Sequence, residues 1–171
     1  PPFQTGPMAN ARRTRSAPAE GSQDPVTTVR DRADALYRIA VECCRQHDRA
    51  ARLHQVSEPG IEHRQVDAMC TMCDGSLTEL AEAYAAAASE APHHGDEAWW
   101  HKANGLWHAS REYARRHAGS DALSGKVSAK HRPDQLGTMQ MEYELEASEL
   151  LALRHAADAY RKARPDLVSE T

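Results

Sequence analysis

The sequence predicts an all-α protein: an antiparallel four-helix bundle with a disordered N-terminal tail and a longer link between helices three and four. Three observations carry this reading. Pro25, Pro59, Pro92, Pro133 and Pro165 bracket four proline-free stretches of helical length, each rich in Ala, Leu, Glu and Arg. Within those stretches apolar residues recur at alternating spacings of three and four, the period of a helix packed along one face. No segment alternates apolar and polar residues as a half-buried strand would.

The N-terminal region comes first. Pro1 to Pro7 (PPFQTGP) reads as a tag remnant ahead of Met8. Ala9 to Asp24 is rich in Arg, Ser, Ala, Pro and Gly, with almost nothing to bury, so residues 1–24 are expected to form a flexible tail. Arg12, Arg13 and Arg15 make it locally basic, and it contains no apolar core of a secretory signal. Residues 25–171 are expected to form a single domain. With 171 residues, 40% of them apolar, the chain is long enough to bury one real core.

Asp24-Pro25 reads as an N-cap followed by a first-turn proline. The first helix then carries Val29, Ala33, Leu36, Ala40, Cys43, His47 and Ala50 on one stripe. Ser57 to Gly60 is a helix stop and turn. Val66, Cys70, Cys73, Leu77, Leu80, Tyr84 and Ala87 mark the second helix. Pro92 to Gly95 forms the next turn, and Asp96 and Glu97 suit the start of a third helix bearing Trp99, Trp100, Ala103, Leu106, Trp107, Ser110 and Tyr113. Gly119 to Arg132 reads as the longer link. The fourth helix offers Met139, Tyr143, Glu146 or Ala147, Leu150, Leu153, Ala157 and Tyr160.

Folding the hairpins about their turns places Cys43 and Cys44 level with Cys70 to Cys73, and the alanine run at 85–88 level with Trp99 and Trp100. The tryptophans are therefore expected to be core anchors against small residues. Gly75 and Gly105 lie inside helices at a cost of about 1 kcal/mol each relative to alanine. Either a close helix approach or a local kink would account for them.

The same register gathers a chemically suggestive set. Cys70 and Cys73 share a helix face, and His47 lies one turn beyond Cys43 on its stripe. Cys43, His47, Cys70 and Cys73 together offer thiolate and imidazole ligands of the kind zinc or copper binds, with Met69, Met72 and Met139 suiting copper(I). Tyr113 and His117 are expected at the same level. Against this stands simple packing, since free cysteine behaves as a small buried hydrophobe. An interhelical disulfide is a further alternative.

Elsewhere, His101, His108 and Glu146 suggest a carboxylate and imidazole site between the third and fourth helices. The Glu-x-x-His repeat of di-iron bundles is missing, as are nucleophile-elbow, phosphate-loop and HExxH motifs. No catalytic residue is assigned. The net charge of −4 and the lack of any run of about 18 or more apolar residues argue against a nucleic-acid binder and a membrane protein. The first and second helices differ in charge, basic against acidic, which favours order within the bundle or between two copies. The sequence thus leads to a cytoplasmic bundle acting by protein interaction or self-association, with zinc or copper binding at the Cys/His set as the alternative.

Overall fold

The computed structural model describes residues 24–56, 60–91, 97–127 and 133–170, with side chains described in those ranges except at 118–143 and 168–170. Four long helices follow in chain order: α1 (Pro25–Val56), α2 (Ile61–Glu90), α3 (Ala98–Val127) and α4 (Pro133–Ala163). A short 3₁₀ helix, Pro165–Glu170, closes the chain. Each helix opens or closes at the punctuation the prolines supply. At the start of α1 the Asp24 carboxylate accepts from the Val26 N–H at 3.3 Å, while its carbonyl accepts from Thr28 at 3.0 Å. At α2 the Gly60 N–H donates to His63 Nδ1 at 3.3 Å. Residues 1–23 of the expected tail and the turn expected at 92–95 lie outside the described residues.

One boundary departs from expectation. The helix α3 runs through Gly119 to Val127, so the link to α4 is only the segment 128–132. Glycine inside a helix costs about 1 kcal/mol, and a long helix can absorb two such losses without ending.

The most extensive contacts are those of α1 with α2 and of α3 with α4. The bundle is therefore two hairpins laid against one another. Cross-helix pairs fix the directions: His47 meets Asp74 and His54 meets Asp67, so α1 and α2 run oppositely. Asp34 meets Arg164 and Asp48 meets Arg154, so α1 and α4 do too.

The predicted stripes form the core. Val29, Ala33, Leu36, Ala40 and Cys43 of α1 are fully buried, as are Leu77, Leu106, Tyr113, Leu153 and Tyr160. Trp99 and Trp100 are buried beside one another, with Ala87 and Ala88 packed against the same cluster. Neither Gly75 nor Gly105 is explained by close approach, because a Cβ at either would meet nothing within 4 Å. Near the chain end, Asp34 accepts from the Tyr160 hydroxyl at 2.6 Å and from the Arg164 guanidinium at 2.8 Å. This ties α1 to the end of α4 through a buried Asp34–Arg164 ion pair, whose guanidinium also reaches the exposed Asp166.

Candidate metal centre

His47 falls four residues after Cys43 and Asp74 four after Cys70, so each sits one turn along from a core cysteine. Tyr113 and His117 share the same spacing on α3, and Glu146 projects from α4. Antiparallel packing brings these five residues to one level, with every helix of the bundle contributing at least one. Asp74 touches both imidazoles. Its Oδ1 lies 3.3 Å from His47 Nε2, and its Oδ2 lies 3.2 Å from His117 Nδ1. The opposite nitrogen of His117, Nε2, faces Glu146 Oε1 at 3.8 Å. The Tyr113 phenol oxygen lies 2.6 Å from His47 Nε2.

The rings pack as well as bond. His47 stands edge-on to both His117, at 5.2 Å between centroids, and Tyr113, at 5.5 Å. The side chains of His47, Asp74, His117 and Glu146 retain only 11–18% of their exposure, and Tyr113 is fully buried. Burial, with Asp74 and Glu146 next in size, pushes the Tyr113 phenol far above its ordinary value. Both causes favour the neutral phenol.

Among the described residues, one ligand atom each from His47, His117 and Glu146 lies within 4.8 Å of the other two. Bonds of about 2.0–2.1 Å around a tetrahedral ion place its ligands roughly 3.3 Å apart. The 3.8 Å between His117 Nε2 and Glu146 Oε1 needs to close by about half an ångström, and the His47 ligand atom, within 4.8 Å of both, must close to the same spacing. The donor set also fits. Asp74 holds His117 through Nδ1 and leaves Nε2 directed at Glu146, the arrangement in which a carboxylate fixes the tautomer of a metal-binding imidazole.

No protein family, curated protein or solved structure matches this chain.

The grouping differs from the set drawn from sequence. His47 is common to both, but no sulfur of Cys43, Cys70 or Cys73 joins its ligand atom. The cysteines are all buried and all free. Cys43 and Cys73 lie close enough to bear on each other's thiols, a contact between α1 and α2. Cys44, about 100° further round the helix, faces Arg154 of α4 instead. Burial is the largest cause in raising these thiols, with Cys44 pushed up to about 11 and Cys70 to about 12. They pack as small neutral side chains lining the helix contacts.

The carboxylate and imidazole idea on α3 and α4 changes partner too. Glu146 belongs to the cluster, but His101 and His108 are exposed, and His108 rests on Trp107 at 4.5 Å between rings. His117, expected at this level, is the α3 histidine that faces Glu146. Asp74 carried no sequence signal beyond the acidity of α2. The side chains of Met139 and Tyr143 lie outside the described residues.

Proposed function

We propose that this protein binds one first-row transition-metal ion between its four helices, through His47, His117 and Glu146. The carrying observation is the convergence of two imidazoles and a carboxylate from three helices, with Asp74 of the remaining helix holding the His117 ring through Nδ1 and leaving its Nε2 towards Glu146. Charge supports the reading. Two carboxylates in a partly desolvated space are balanced either by two protonated imidazoles or by a dication among neutral rings. Nitrogen and oxygen donors suit zinc, iron, cobalt or manganese better than copper(I), which prefers the sulfur set.

Calorimetric titration of chelator-treated protein with zinc or cobalt(II) tests this. One ion per chain is expected, with His47→Ala and His117→Ala each weakening binding at least tenfold and Cys70→Ser plus Cys73→Ser leaving it intact. Binding that survives the histidine changes and fails with the serines would restore the sulfur site.

A second reading, a surface for a protein partner or a second copy, rests on exposed apolar side chains. Ile61, Met69 and Met72 fall in one sector of α2 and are 66%, 42% and 72% exposed. No described helix is long and apolar enough to cross a membrane. A molecular mass in solution equal to one chain, with no change on Met72→Glu, would remove self-association.

A further inference from the structure

We propose that Tyr113 supplies a fourth ligand to this centre, a phenolate oxygen, and that the ion the completed site takes is ferric iron. The proposal rests on the metal reading above and narrows it.

Among the described residues three buried tyrosines anchor the core, and two have ordinary acceptors. The Tyr84 hydroxyl donates to Asn104 Oδ1 at 2.7 Å, and the Tyr160 hydroxyl to Asp34 at 2.6 Å. The hydroxyl of Tyr113 is committed instead to Nε2 of a ligand imidazole, at 2.6 Å. Its ring packs against both histidines, 5.5 Å from His47 and 5.9 Å from His117. A metal taking His47 Nε2 takes the atom the phenol touches. A fully buried hydroxyl left without that partner is costly, and the oxygen already lies 2.6 Å from one ligand nitrogen. Turning onto the metal satisfies it with little movement.

The charge then selects the ion. Asp74, Glu146 and a Tyr113 phenolate carry three negative charges, and a trivalent ion among neutral imidazoles balances them. Hard anionic oxygen donors favour ferric iron over the softer divalent ions. In the binding step the phenolic O–H bond breaks, the iron–oxygen bond forms and the proton passes to water. No electron is transferred, because the iron enters as ferric ion. Cys70 is the competing donor, close enough for Asp74 and Glu146 to bear on its thiol, but its sulfur lies outside the ligand grouping.

Loading with ferric nitrilotriacetate, followed by desalting and iron analysis, supplies the test. A coordinated phenolate gives an intense visible charge-transfer band and characteristic resonance-Raman ring modes. One iron per chain with both signals is expected in the wild type. Tyr113→Phe, with its helix content checked by circular dichroism, should lose the band, and Cys70→Ser should keep it. Raman ring modes of the wild type give a reading independent of whether the variant folds, and their absence in iron-loaded protein overturns the proposal. So does a band that persists in Tyr113→Phe or follows Cys70→Ser. Zinc or cobalt(II) binding without ferric binding removes the tyrosine ligand and leaves the centre, whereas failure of all three ions removes both.

Discussion

Asp34 and Asp74 both sit on core-facing positions of their helices, yet their surroundings ask for different things. Asp34 faces a guanidinium, so its charge is cancelled within the chain, and its two bonds fasten α1 to α4. Asp74 faces imidazoles, which can be neutral, and a second carboxylate lies beyond one of them at Glu146. One pair is complete as it stands. The other, on the proposed metal reading, is the one a cation completes. Asp74→Asn tests that distinction, because it keeps the size and one acceptor while removing the charge that orients the His117 ring. Metal affinity should fall by about 10–100-fold, as for loss of a carboxylate behind a ligand histidine. Thermal stability of the metal-free protein should change little. Equal affinity in the two proteins, measured by competition with a coloured chelator, would reduce Asp74 to a packing residue.

At the scale of elements, most of the fold could be read from the chain. Proline positions and the three-and-four spacing are local properties, and they locate α1, α2 and the starts of α3 and α4 without reference to neighbours. The end of α3 was not legible, because Gly119, Ser120 and Gly125 look like a break while the helix tolerates them. The level of the site could be read, since hairpin folding sets Cys43, His47, Cys70 and Cys73 opposite one another. Its membership could not. Whether His47 meets a sulfur of α2 or an imidazole of α3 depends on rotation about each helix axis and on diagonal contact across the bundle, which no single hairpin determines. The interior glycines give a prediction at this scale. Neither adopts a positive φ, and a Cβ at Gly75 or Gly105 meets nothing within 4 Å. Gly75→Ala and Gly105→Ala should each stabilise the protein by about 0.5–1 kcal/mol, through helix propensity and a less disordered unfolded chain. Urea denaturation midpoints that fall instead would mean the positions serve a bend or a partner.

For the whole molecule, the two hairpins meet across a contact that is thinner than the one inside either of them, and the centre lies on it. His47 and Asp74 come from the first hairpin, and Tyr113, His117 and Glu146 from the second. The thiols add a pH dependence to the same interior. Cys70 is raised from 9.0 to about 12 and Cys44 from 9.0 to about 11, so the folded chain holds protons that the unfolded chain releases above pH 9. Their contribution is complete below pH 9 and is lost as pH rises towards 11 and 12. In chelator-treated protein, Cys70→Ala should therefore flatten the alkaline fall in stability by up to one proton, whatever it does to stability at neutral pH. A metal acts across the hairpins in the opposite sense. An ion bound only by the assembled site stabilises the folded state by mass action, by about 2.7 kcal/mol when present at a hundred times its dissociation constant. Because the ligands are divided between hairpins, that gain should appear as a single cooperative transition moved to higher temperature. It should vanish in His117→Ala, which empties the second hairpin's imidazole. A metal that raises the melting temperature equally in wild type and His117→Ala is bound elsewhere, and the two hairpins are then held by their apolar stripes and the polar ties of Asp34 and Asp48 to the end of α4.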